Sequence, residues 1–221
     1  MRTVKFKQMK DGDAEDYSFL TEHETEFAAK TADRLLEAMI ALDKSLSGYQ
    51  VTRLGHSRQS ATRAWRAGAD IDWVVSALLH DIGDIYAPYN HDEYAAAILR
   101  PFVREQCSWV VGKHGDFQLL YYGEHVGADP HKRDAYRDSP YFDDCAEFCE
   151  KWDQSSFDPD YPTESLSFFS DKVREVFARK TYDPLVIRKN ERVPLSDPLK
   201  AKSRARRPSS REGSRGGEVQ F

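Results

Sequence analysis

Residues 70–83 read DIDWVVSALLHDIG, and this stretch decides the fold. Asp70 is a residue type that caps helix N-termini, and it stands directly before an apolar run dense enough to form a buried helix. The run ends on two ionisable residues, His80 and Asp81, followed by Ile82 and Gly83. An unpaired carboxylate on a buried helix end would cost on the order of several kcal/mol, a penalty that a bound metal ion removes.

Working outward, helical periodicity continues on both sides. Ala28, Ala32, Leu35, Met39, Leu42 and Leu46 follow 3–4 spacing, which predicts one long amphipathic helix over Glu26–Leu46, stopped by Gly48. A second helix is expected over Val51–Ala67, stopped by Gly68. Downstream, Asn90 is placed to cap HDEYAAAILR, and Pro101 permits a further helix from Phe102 to His114. Residues 116–142 are rich in turn formers and aromatic residues, so an ordered loop with little regular structure is expected there. Helices are expected again over Phe142–Gln154 and Ser165–Lys180. Neither an alternating strand pair nor an internal repeat is present, and the fold class is all-α, a helical bundle.

The composition suits a folded catalytic domain over residues 23–187, preceded by an extension at 1–22 and followed by a basic tail at 188–221. From Arg188 onward there are 10 Lys/Arg against 4 Asp/Glu, which leaves the body at -11 and the tail at +6. Such an acidic body is a poor nucleic-acid binder. The tail, with few large apolar residues, is expected to be disordered because it cannot offset its ordering entropy. Cys107, Cys145 and Cys149 read as buried free thiols. The N-terminus lacks an apolar leader and no run approaches the roughly 18 apolar residues of a membrane span, so a cytoplasmic location without membrane contact is expected.

Chemistry is expected where histidines and carboxylates can converge. His56 lies 24 residues before His80, so a helix pair turned at Gly68 would bring the two together. His91 opens the next helix and His114 is expected to close the one after it, while Asp153 follows Trp152 near the end of a later helix. Neutral imidazoles suit transition metals, and a carboxylate such as Asp81, with two oxygens, can bridge two ions. Any single one of the seven histidines is more often an ordinary surface or core residue. It is the combination of His56, His80, Asp81, His91, His114 and Asp153 that predicts a two-metal centre. Gln118, Arg133 and Ser139 on the irregular stretch offer donors for an anionic substrate.

The H...HD...D pattern at His56, His80, Asp81 and Asp153 resembles the HD-domain superfamily, most of whose members are phosphohydrolases. The extra pair His91 and His114 looks like the six-ligand pattern of its mixed-valence diiron oxygenases, which include myo-inositol oxygenase. Residues 48–56 (GYQVTRLGH), HDIGD at 80–84, KHGDFQ at 113–118 and KWDQSSFD at 151–158 look like the type acting on (1-hydroxy-2-(trimethylammonio)ethyl)phosphonate. The resemblance implies an Fe(II)/Fe(III) pair and O2 as cosubstrate. It further implies cleavage of a carbon–phosphorus bond to glycine betaine and phosphate, and an upstream phosphonate hydroxylase that supplies the substrate. It implies one iron on His56, His80, Asp81 and Asp153, and the other on Asp81, His91 and His114, with no catalytic side chain beyond these ligands. Tyr49 stands where the related aminoethyl enzyme has an amine-binding glutamate, and Asp84 where relatives place a substrate-contacting residue. Both are therefore expected substrate contacts, Tyr49 through its aromatic face toward a quaternary amine. Glu150 stands where that relative has a phosphonate-binding arginine, a departure from the pattern. The competing reading is a metal-dependent phosphohydrolase that uses the same ligands on a phosphate ester or nucleotide.

Overall fold

The Asp70 carboxylate accepts from the Trp73 backbone amide and starts the central helix, α4 (Ile71–Leu79), as its sequence requires. In the computed structural model, which describes residues 2–205, α4 is buried along its whole length from Asp72. Around it stand α1 (Ala14–Ala29), α2 (Thr31–Ala41), α3 (Arg53–Arg66), α5 (His91–Leu99) and α6 (Glu105–Val111). The set is completed by α7 (His114–Tyr122), α8 (Phe142–Phe148), α9 (Leu166–Phe177) and α10 (Pro198–Ala205). No strand occurs among the described residues, and the all-α expectation holds. None of the helices is long and apolar enough to cross a membrane.

The core is built where α3, α6 and α9 close on α4, with α2 packed against α9 and α3. Trp73 and Leu78 of α4 are fully buried with Met39, Val110, Phe169 and Val173. Trp73 meets Trp152 edge-on at 6.0 Å between ring centroids. Gly68, at φ +83°, turns α3 into α4, a backbone conformation that glycine adopts without a Cβ penalty. That turn returns the chain toward His56.

Several local boundaries differ from the sequence expectation, each for a physical reason. The helix expected over 26–46 is two helices, because Thr31 Oγ1 and Arg34 Nη1 cap the last carbonyls of α1 and Lys30 leaves helical geometry. The extension at 1–22 is helical from Ala14, where Asp13 and Asp16 form a reciprocal capping box. The Asn90 side chain makes no capping hydrogen bond. The helix expected over 102–114 is only α6, since the Arg104 amide donates to Asp72 and its ψ of 148° is extended. His114 therefore opens α7 instead of closing the helix before it, and residues 116–122 of the expected loop are helical. The segment from 188 to 205 is laid on the body: Val193 O accepts from Trp73 and Gln106, Leu195 is buried, and Arg204 donates to the Trp65 and Ala69 carbonyls. Its few apolar residues and its donors find partners that composition alone does not reveal. The remainder of the expected tail, 206–221, lies outside the described residues.

If the 188–205 segment completes the core, Leu195→Ala will cost about 2–5 kcal/mol, as for other buried leucines. Chemical denaturation checks this; a change under about 0.5 kcal/mol, typical of surface sites, contradicts it.

Candidate metal centre

Three elements deliver the first cluster. His56 sits one turn inside α3, His80 and Asp81 follow the last turn of α4, and Asp153 arrives from the far side. The segment Cys149–Asp153 is a π-helical turn, in which the Gln154 amide reaches the Cys149 carbonyl at 3.0 Å. A wider turn shifts the residues after it around the axis, and Asp153 is buried here against His56 and His80. His91, at the start of α5, and His114, at the start of α7, form a second pair.

Asp81 stands between the two pairs. Its Oδ2 lies 3.1 Å from His56 Nε2 and 3.3 Å from His80 Nε2. Its Oδ1 lies 3.3 Å from His114 Nε2 and 3.4 Å from His91 Nε2. Asp153 Oδ1 completes the first cluster at 3.2 Å from His56 Nε2 and 3.5 Å from His80 Nε2. The six residues expected from sequence thus converge, with one carboxylate shared between two groups of donors.

The donor chemistry fits cations. His56 Nδ1 faces the Ser156 carbonyl at 3.0 Å, His80 Nδ1 faces Ala77 O at 2.9 Å, and His114 Nδ1 faces Val111 O at 2.6 Å. Each Nδ1–H is therefore donated to the backbone, and the Nε2 lone pair is left aimed at the centre. His56 and His80 bring their Nε2 atoms to 3.1 Å, and His91 and His114 to 3.3 Å. With Nδ1–H committed to the backbone, the Nε2 lone pairs of neutral His56 and His80 repel at that distance, and a cation between them attracts both. Asp153 Oδ2 is buried without a hydrogen-bond partner, an arrangement that costs free energy unless a further ligand meets it. Burial, the largest influence on Asp81 and Asp153, favours their neutral forms, but the facing imidazoles, and Arg53 for Asp81, hold both carboxyls well below the usual range. Burial likewise opposes charge on His80, yet Asp81 and Asp153 raise it well above an ordinary histidine. The site is therefore built around compensated negative charge, which suits metal ions.

Above the centre opens a cavity of about 750 Å³. Tyr49, Asp84 and Gln118 line it. Arg133 and Ser139 do not: the Arg133 guanidinium lies over the Phe117 and Phe142 rings, and Ser139 accepts from the Tyr141 amide. The loop that carries them is folded onto α7 and α8, which turns these donors away from the cavity. Tyr121 and Tyr122 also line the cavity, and two lining residues had no role in the sequence reading, Arg53 above all, with Phe157. Arg53 lies three residues before His56 on the same helix, a spacing that places both on one face, and this was the available signal. Its Nε donates to Asp84 Oδ2 at 2.5 Å and its Nη2 to Asp81 Oδ2. Phe157 stacks on the His56 ring at 4.3 Å and meets Tyr49 at 5.1 Å.

Gly83 fixes the distance between the clusters. A Cβ there would fall 2.5 Å from the His91 carbonyl oxygen and 2.6 Å from its Cα, both backbone atoms that cannot rotate away. Gly83→Ala should cost about 1–3 kcal/mol through overpacking and displace His91, read as a lower thermal midpoint and a loss of bound metal. An unchanged midpoint with full metal content would contradict this contact. For the cluster itself, purified protein loaded with Fe(II) should retain two ions per chain by elemental analysis. Asp81→Ala should retain neither, while His56→Ala, His80→Ala and Asp153→Ala should each lose at least one; a variant that keeps both removes its residue from the ligand set.

Comparison with known proteins agrees with this geometry. An HD domain is found over residues 53–140, a span that takes in His56, His80, Asp81, His91 and His114 and stops short of Asp153. No curated protein matches the chain.

Proposed function

We propose that this HD domain binds an Fe(II)/Fe(III) pair and uses O2 to cleave the carbon–phosphorus bond of an α-hydroxyphosphonate. The substrate read best is (1-hydroxy-2-(trimethylammonio)ethyl)phosphonate, and the products are glycine betaine and phosphate. One observation carries the reading: the shared Asp81 carboxylate has a full histidine pair on each of its oxygens at the floor of a cavity. A two-iron donor set of this kind exceeds the four residues of the H...HD...D pattern, and it is the added pair that the oxygenase resemblance involves.

Bound there, the iron pair would supply dioxygen activation and electron transfer. The overall reaction balances without an outside reductant, because both atoms of dioxygen are accounted for in the carboxylate and the phosphate. The protein's part is to hold, orient and exclude. Three carboxylates, Asp81, Asp84 and Asp153, stand against one guanidinium, Arg53, among the groups nearest the centre. Two multivalent cations would exceed that negative charge, so an anionic group entering the cavity is attracted. The Gln118 side chain, largely buried, presents an amide to the cavity for a phosphonate or hydroxyl oxygen.

The opposite end of the substrate carries a diffuse positive charge with no N–H to donate. Tyr49, Tyr121, Tyr122 and Phe157 line the same cavity, and ring faces attract such a cation by about 0.5–2 kcal/mol each. Burial pushes the Tyr121 hydroxyl up to about 12 and the Tyr122 hydroxyl in the same direction, so both rings stay neutral near pH 7. A hydroxylation at C1 must precede this reaction, which supports the link to an upstream phosphonate hydroxylase.

Iron-loaded protein given the hydroxyphosphonate should consume O2 and release phosphate and glycine betaine in equal amounts, and should show the paramagnetic resonance signal of a coupled Fe(II)/Fe(III) pair. Anaerobic turnover of phosphate esters with no oxygen uptake would replace this reading with that of a phosphohydrolase.

A further inference from the structure

We propose that Asp84 is a positioning residue for the outer cation subsite, and that the two subsites consequently fill in order, the His56 side first. The inference rests on the two-cation reading of the centre and is independent of which reaction follows.

The four imidazoles are not held alike. His56, His80 and His114 each donate Nδ1–H to a backbone carbonyl that belongs to a packed element, and their side chains are at most 3% exposed. His91 is 25% exposed, and the group facing its Nδ1 is the Asp84 carboxylate, with Oδ1 at 3.7 Å. A backbone carbonyl fixes a ring rigidly; a side-chain carboxylate at that distance orients it by charge and leaves it room to swing. The inner subsite, His56, His80, Asp81 and Asp153, is therefore built of buried donors. The outer subsite shares Asp81 with it and depends on the one imidazole whose position is not fixed by the backbone.

Asp84 also acts on the shared ligand. Its Oδ2 accepts from Arg53 Nε, and the same guanidinium donates to Asp81. Each carboxylate oxygen has two lone pairs, so Asp81 Oδ2 can take the guanidinium and a cation together. Asp84 thus joins Arg53, which braces the shared carboxylate, to His91, which completes the outer subsite. Burial favours neutral Arg53, but the charges of Asp81 and Asp84 outweigh it and keep the guanidinium charged. Removing the Asp84 carboxylate frees His91, the outer imidazole, while Arg53 keeps its bond to Asp81 Oδ2. His56, His80 and Asp153 are held by other groups and keep their places.

The consequence is a one-cation state on the way to the two-cation centre, with the final state set by the concentration of free metal. Calorimetric titration of the metal-free full-length protein with Co(II) against a competing chelator should resolve two classes of site differing at least tenfold in affinity. Asp84→Ala and Asp84→Asn should weaken the second class about 10–100-fold and leave the first within about twofold, with Asp84→Glu recovering most of the loss. Circular dichroism melting of the metal-free variants separates this from unfolding, and the isosteric Asn variant preserves the packing if the Ala variant does not. Equal weakening of both classes, or no change in the second, overturns the role given to Asp84. A wild-type protein that takes up fewer than two Co(II) ions overturns the two-cation reading itself.

Discussion

The buried Asp81 carboxylate is the constraint on which the rest of this molecule is organised. A charge in the middle of a helical core is tolerated only when fully compensated, and here the compensation comes from elements distant in sequence: α3 through Arg53 and His56, α5 through His91, and α7 through His114. Each of those helices must end or begin at the depth of Asp81. That requirement accounts for Gly68 at the turn that returns α4 and for the absence of a side chain at Gly83, against which the His91 backbone rests.

The remaining polar groups of the centre follow the same logic. Backbone carbonyls orient three of the imidazoles, and two of them, Ala77 O and Val111 O, stand at helix ends where they would otherwise be orphaned. The π-helical turn at Cys149–Asp153 reads as a device of this kind, since such turns tend to occur where a side chain must be aimed. The aromatic wall begins directly on a ring of the donor cluster, with Phe157 stacked on His56 and Tyr49 beyond it. Donor cluster and cavity are one piece of architecture.

Arg53 shows how a residue can be essential to the geometry yet silent in a reading by motif. It belongs to no chelating pattern, and as an isolated cation on a helix it reads as a solvated surface group. Only the fold shows that it is nearly buried and held between Asp81 and Asp84. Arg133 and Ser139 illustrate the converse. Their chemistry suited an anion, but the path of residues 123–141 points them at Phe117, Phe142 and the Tyr141 amide.

The sequence by itself determined the helical class, the central α4 with its Asp70 cap, and the six metal-capable residues, because periodicity, capping and clustered ionisable groups are local signals. The tertiary structure alone decided that His114 begins a helix, that α1 and α2 are separate, and that residues 188–205 pack on the body. It alone decided which oxygen of Asp81 faces which histidine pair, and that His91 leans on Asp84. These depend on groups tens of residues apart meeting at a few ångströms, and a distance of that kind is set by the packing of whole helices, not by any stretch of the chain read on its own.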